Sequence, residues 1–251
     1  MAPNLLVLGG TTEATALCRA LAETGIRGTI SFAGRVARPV RQPLPQRVGG
    51  FGGVDGLGRY LHRHGITHVV DATHPFAAQM SRNAIAACRA AQLPLVALTR
   101  TPWVAGPGDC WTHVPGIPEA VAALDRPAEP VMLAIGRQNL PAFSVRPQHR
   151  YLLRLVDPPA SPPPFPDHHV IIDRGPFCVE SDLALMKGHG ISLVVSKNAG
   201  GTGAYAKIAA ARILGLQVIM IDRPYVPPRP ELHEISAVLD WIAHAPTDLG
   251  V

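Results

Sequence analysis

LLVLGGTTEATALCRAL, residues 5–21, decides the architecture. Four apolar residues without polar alternation predict a strand buried on both faces, as in a parallel sheet. Gly9 and Gly10 break the run where a strand would turn into a helix, and Thr11 or Thr12 can cap that helix. Glu13 then falls in a first turn, where the helix dipole favours a negative charge. Ala14, Leu17, Cys18 and Leu21 keep the spacing of one helical face. The same pattern returns near the far end as SLVVSKNAGGTGAYAKIAAAR, residues 192–212. There Thr202 is the expected cap and Gly203 the first helical residue. Ala204, Ile208 and Ala211 form a core stripe, with Tyr205 and Arg212 on another face.

Across the rest of the chain, continuous apolar runs mark strands, giving with these two the set 5–8, 29–33, 68–72, 95–99, 131–135, 151–156, 169–173, 192–196 and 217–222. Helical patterns lie between them, including Ala84, Ala87, Cys88 and Ala91. This alternation predicts an α/β fold of two Rossmann-like, doubly wound, mostly parallel sheets with a cleft between them. DRPAEP (125–130) marks the expected boundary, giving domains 1–127 and 128–251, each with four or five strands. DPPASPPPFPD (157–167) reads as an extended surface loop, since proline suits neither helix nor strand interiors.

With 251 residues, 47% hydrophobic and 16% charged, the chain reads as globular rather than disordered. No apolar run reaches the ~18 residues of a membrane span. MAPNLLVLGG has neither the basic n-region nor the cleavage site of a signal peptide, so the cytoplasm is the expected compartment. The four cysteines form no CxxC pair, and Cys18 and Cys88 fall on apolar helix stripes. The eleven histidines show no metal-ligand spacing, so no metal is expected. A formal charge of +5 and a pI of about 9.3 suit an anionic small molecule. No charge block, zinc-finger spacing or aromatic RNP pattern supports nucleic acid. Of 23 basic residues the lysines are Lys187, Lys197 and Lys207, two of them in the second glycine stretch.

The first turn matches GxGxxG poorly, and a carboxylate at Glu13 would repel a pyrophosphate, so a plain βα turn is its bland reading. The end of the second strand, SFAGRVARPVR, supplies Arg35, Arg38 and Arg41 and no carboxylate. A dinucleotide bound here would be NADP(H), with Arg35 the best partner for the 2′-phosphate. In DATHPFA, Pro75 fits the first helical position, with His74 or Thr73 as cap. The dipole there would favour a neutral His74, suited to donating a hydrogen bond or relaying a proton. Arg137, Arg174, Lys197 and Arg223 all follow strands of the second half, as expected of a polyanion site. Salt bridges of Arg174 or Arg223 to Asp173 or Asp222 are the structural alternative. SKNAGGTGAYAK lacks the GxxxxGK[ST] order of a P-loop.

GGTTEA, DATHPFA, RGPF and SKNAGGTGAYAK, in this order, resemble the precorrin-6A reductases (CobK) and cobalt-precorrin counterparts (CbiJ) of cobalamin biosynthesis. The similarity runs from Leu5 to Trp241. It implies NADPH-dependent reduction of one double bond of precorrin-6A, a tetrapyrrole rich in carboxylates, to give precorrin-6B. Carried over by position, the resemblance implies that Gly9, Gly10, Thr11 and Thr12 approach the cofactor phosphates and Arg35 the 2′-phosphate, with Thr73 and His74 near the nicotinamide. Lys197, Asn198, Gly200, Gly201, Tyr205 and Lys207 would border the tetrapyrrole, with Arg174 and Arg223 as carboxylate clamps. His74 and Tyr205 are the candidate proton donors, beside solvent and the substrate's own acids. Neighbouring pathway enzymes are further candidate partners. Two alternatives stand: another NADP-dependent reductase of an acidic substrate, and a non-catalytic two-lobed nucleotide- or ligand-binding module.

Overall fold

The computed structural model describes residues 2–34, 41–159, 161–175 and 177–244. They form two compact units, one of Met1–Arg100 with Tyr225–Val251 and one of Thr101–Pro224. Each is built on a six-stranded sheet in which every pairing is parallel.

In the first unit the strands are β1 (Asn4–Leu8), β2 (Arg27–Phe32), β3 (Gln46–Val48), β4 (His68–Asp71), β5 (Leu95–Leu98) and β12 (Glu231–Leu232). Their order is β12-β5-β4-β1-β2-β3. The helices are α1 (Thr12–Glu23), α2 (Gly53–Arg63), α3 (Ala78–Ala90) and α7 (Ile235–His244). The apolar run at 5–8 now has its reason. Leu5 and Val7 pack in one core with Leu17 and Leu21 of α1 and Val238 and Ile242 of α7. Leu6 and Leu8 face the other way, onto Leu57 and Leu61 of α2 and Ala84 and Cys88 of α3. With helices on both faces, every apolar residue of the strand stabilises the unit, by about 2 kcal/mol per fully buried leucine.

The second unit holds β6 (Cys110–Val114), β7 (Pro130–Ala134), β8 (Arg150–Leu155), β9 (His168–Ile172), β10 (Leu193–Lys197) and β11 (Gln217–Ile221), in the order β6-β11-β10-β7-β8-β9. Its helices are α4 (Ile117–Ala122), α5 (Val179–Gly188) and α6 (Ala206–Ile213), with a 3-10 helix over Arg137–Val145. One core of this unit joins Met132, Leu152, Val194 and Val218 of the sheet to Met186 of α5 and Ile208 of α6.

The nine expected strands are all present. Three others escape their pattern, and two of those move the boundary. β6 lies before residue 127 yet pairs with β11, and β12 lies after 128 yet pairs with β5. The division therefore falls at Arg100/Thr101 and Pro224/Tyr225, not at 127/128. The proline-rich stretch has no regular element among its described residues, but Phe165 is buried against the Tyr151 ring, centroids 4.4 Å apart.

Candidate active site

In each sheet the chain reverses its direction of strand addition once, between β1 and β4 and between β7 and β10. Ligands of doubly wound folds bind outside the carboxyl ends of the strands at such points. The two quoted glycine turns sit at these two places.

At the first, the turn from β1 to α1 uses its glycines differently. A Cβ on Gly9 would lie 2.8 Å from Ile30 Cδ1 and 3.2 Å from the Phe32 ring, so Gly9 permits close packing on β2. Gly10 has φ +135°, and a Cβ there would meet nothing within 4 Å. It leaves main chain open at the mouth of α1. Thr11 is the cap: its Oγ1 accepts from Ala14 N–H at 3.1 Å and donates to the Ala72 carbonyl at 2.9 Å. The hydroxyl is thus committed to tying α1 to the end of β4. Glu13 is neutralised locally. Arg100 donates to both its oxygens, at 2.8 and 2.6 Å, and to Thr12 Oγ1 at 3.0 Å. Partial burial works against the Glu13 carboxylate, but the Arg100 bonds prevail and hold it below the usual carboxylate range. The repulsion expected from Glu13 is largely cancelled.

At the end of β4, buried Asp71 accepts from both the N–H and the hydroxyl of Thr73, at 3.2 and 2.7 Å, and faces Arg229 at 3.4 Å. His74 Nδ1 accepts from Phe76 N–H at 3.2 Å, which assigns the proton of the neutral ring to Nε2. Contrary to expectation, Pro75 does not open the helix. A turn closed by Ala77 N–H on the His74 carbonyl at 2.7 Å comes first, and α3 starts at Ala78. Arg35 and Arg38 lie outside the described residues.

At the second unit's switch point the loop after β10 is braced from within. Asn198 is buried and accepts from Trp103 N–H at 2.8 Å while donating to its carbonyl at 2.9 Å. The Trp103 indole donates to the Gly201 carbonyl at 2.6 Å. Arg223 donates to the carbonyls of Asn198 and Ala199, at 3.1 and 3.2 Å. Gly200 and Gly201 have φ of +70° and +66°, the left-handed region that favours glycine. Helix α6 starts at Ala206, later than expected; Thr202 instead closes a turn by accepting from Tyr205 N–H. Tyr205 and Arg212 do share a face. The Tyr205 hydroxyl accepts from Arg212 at 2.5 Å, and Arg212 forms a fork on Asp109 at 2.9 and 2.7 Å.

Lys197, Asn198, Gly200, Gly201, Tyr205 and Arg223 therefore gather at one loop. Two expected members do not join them. Lys207 is buried: its Nζ donates to Ala204 O at 2.6 Å and lies 4.9 Å from the centroid of the Trp103 ring. Burial pushes its ammonium down to about 7, the nearby Arg154 adding to the shift and Asp182 opposing it. Arg174 follows β9, at the far edge of the sheet, and pairs with Asp157 at 2.9 Å. Asp173 accepts from the main-chain N–H of Arg174 at 2.8 Å and forms no ion pair with its guanidinium. The partner of Asp222 is His113, at 2.7 Å.

The chain matches the model of the family described as precorrin-6x reductase CbiJ/CobK over residues 4–243. The chain belongs to that family. This CbiJ/CobK chain is 56% identical over 249 residues to the precorrin-6A reductase of Rhodobacter capsulatus, covering 99% of each chain. It is 47% identical to the precorrin-6A reductase of a Sinorhizobium species, over 96% of this chain and 93% of that one. A solved structure described as CobK precorrin-6A reductase superposes with a TM-score of 0.93 at 56% identity, covering 99% of this chain and 100% of that one. A CbiJ/CobK chain is a reductase, and that family implies a reduced nicotinamide as its hydride source. The β1–α1 turn fits the phosphates of such a group: open main chain at Gly10, the mouth of a 12-residue α-helix, and an acid already paired. The equivalent turn of the second unit does not. Gly136 (φ +79°) leads into the 3-10 helix containing Pro141, which presents no α-helical N-terminus.

Sequence reasoning missed Arg100, Trp103 and Asp109, whose partners Glu13, Asn198, Gly201 and Arg212 lie between 87 and 103 residues away, and of Arg212 it gave only the helix face shared with Tyr205. It also missed Arg47 and the glycine cluster GGFGG at 49–53, which the composition of that stretch could have flagged.

Proposed function

We propose that this chain is a precorrin-6A reductase that takes NADPH at the β1–α1 turn and a polycarboxylate tetrapyrrole at the loop after β10. The observation that carries the reading is the asymmetry of the two switch points. At the first, an open glycine turn leads into the N-terminus of an α-helix, as suits a phosphate, and at the second a braced glycine loop stands beside Lys197 and Arg223. In the reaction one ring carbon of precorrin-6A receives hydride and its neighbour receives a proton, so one C=C bond becomes CH–CH. When bound, the reduced nicotinamide supplies the hydride with both electrons and is left as NADP+.

The chain's own residues bind and orient. Main-chain N–H groups at Gly10 and Thr12 take the diphosphate, and Arg35 the 2′-phosphate. Thr73 and His74, at the end of the neighbouring strand, border the nicotinamide, with Nε2–H of His74 positioned as donor. Lys197 pairs with substrate carboxylates. Asn198 and Arg223 hold the loop in shape, and Tyr205 sits beside it with its hydroxyl oriented by Arg212. Holding two reactants in register lowers the barrier by several kcal/mol, so the proton can come from His74, Tyr205 or solvent. The cytoplasm, and transfer of product to neighbouring pathway enzymes, complete the proposal.

The test is nicotinamide fluorescence during titration with the protein, followed by addition of precorrin-6A. NADPH should bind and then be oxidised. An unchanged fluorescence spectrum would remove the cofactor assignment. Binding without oxidation would favour the non-catalytic module. Lys197→Ala should weaken precorrin-6A binding and leave NADPH binding intact.

A further inference from the structure

Arg47 stands near the end of β3, the edge strand beside β2, and reaches past the end of the sheet. Its Nη1 donates to Ser31 Oγ at 2.8 Å and to the Gly49 carbonyl at 2.9 Å, and its Nη2 to the Gly50 carbonyl at 3.1 Å. The guanidinium carbon lies 3.9 Å from the centroid of the Phe51 ring and 5.2 Å from that of Tyr60. Three of its five donors are used and one face is stacked, so the group is fixed in place. Nε–H and the second Nη2–H make no hydrogen bond, and the guanidinium forms no ion pair, among the described residues. A half-buried cation that is immobilised yet lacks a counter-anion is arranged for an anion from outside.

The loop around it is built to let a ligand approach. Gly49, Gly52 and Gly53 have φ of +121°, +81° and +80°, and a Cβ on any of them, or on Gly50, would meet nothing within 4 Å. Gly56 holds this loop against α2, since its Cβ would come within 1.7 Å of the Phe51 carbonyl oxygen. Ser31, which Arg47 grips, also accepts from Gly9 N–H through its carbonyl at 2.9 Å. The guanidinium is thus tied to the glycine turn across β2, two strand spacings or roughly 10 Å from β1.

We propose that Arg47, set by the GGFGG loop, is a specificity-determining residue that takes the 2′-phosphate of the adenosine end of NADPH. This rests on the cofactor reading above. The ribose links that phosphate to the diphosphate at the α1 mouth, and the two uncommitted donors are the number a pair of phosphate oxygens accepts.

The test is calorimetric titration of the full chain with adenosine 2′,5′-bisphosphate and with adenosine 5′-monophosphate, alongside NADPH and NADH. Arg47→Ala should weaken bisphosphate binding by about tenfold or more while leaving monophosphate binding within about twofold, as expected when a single charge-assisted pairing to the 2′-phosphate is removed. Arg47→Lys, which keeps the charge and loses the fork, should fall between and serves if the alanine variant fails to fold. Equal losses for both nucleotides would make Arg47 a purely structural part of the loop and overturn the proposal, as would no loss in either variant. If the unaltered chain binds neither dinucleotide, it is the cofactor reading that fails. If it binds NADH as tightly as NADPH, that reading survives and the role of Arg47 does not.

Discussion

The Asn198 carboxamide spends both its ends on the main chain of one residue, Trp103, accepting at 2.8 Å and donating at 2.9 Å. Trp103 returns a bond to Gly201, so segment and loop hold each other. Removing the carboxamide leaves a buried N–H and a buried C=O unmatched. Asn198→Ala should cost about 2–4 kcal/mol in urea unfolding at neutral pH. Asn198→Asp should be no better, because a carboxylate would face the Trp103 carbonyl. A variant within about 0.5 kcal/mol of the parent would show that the clamp does not hold the loop.

Arg100 is expected to matter to cofactor binding without touching the cofactor. Arg100→Ala exposes the Glu13 charge at the mouth of α1, and NADPH affinity should fall by up to about tenfold in roughly 0.1 M salt, less at higher salt. Adding Glu13→Gln to that variant should restore most of the loss. If the double variant binds as poorly as the single one, charge neutralisation is not what Arg100 provides.

The two glycines of the first turn should fail for different reasons. Gly9→Ala crowds Ile30 and Phe32 and should destabilise the first unit by about 1–3 kcal/mol, with partial recovery on Ile30→Val. Gly10→Ala has room but not the conformation, so shrinking neighbours should not rescue it. Thermal melts of the two single variants, each with and without Ile30→Val, decide; rescue of Gly10→Ala by Ile30→Val would contradict this division.

Lys207 gives the fold a pH dependence of predictable sign. Its folded value is lowered to about 7 from an ordinary 10.5. Between those limits the unfolded chain binds a proton that the folded chain lacks, so this residue makes stability rise as pH increases. The stability of the parent minus that of Lys207→Met should therefore grow from about pH 7 to about pH 9 in urea unfolding. A constant difference would mean that the buried amine stays charged.

How legible each part was follows from where its signal is carried. β1 announces itself because helices cover both its faces, leaving Leu5 to Leu8 no polar position. β6 shows the opposite. In Cys110–Val114 only Val114 is buried, so the run CWTHV carries no apolar signal, and β12 is two residues long. Pairing partners of such strands are set by the assembled sheet, and composition near 127 pointed to the wrong division. At the candidate sites, the place of the glycines, Lys197 and His74 at strand ends was readable, because the end of an apolar run is marked locally. The fates of Lys207 and Asn198 were not, since burial under Trp103 depends on a residue 104 and 95 positions away, respectively.

The exchange of edge strands also orders events on the ribosome. The second unit is one unbroken stretch, Thr101–Pro224, and has all its strands once Ile221 has emerged. The first unit must wait for Glu231–Leu232 and α7 before the outer side of β5 and the face of α1 are covered. The half that is synthesised first is completed last, and no single cut of the chain yields it whole.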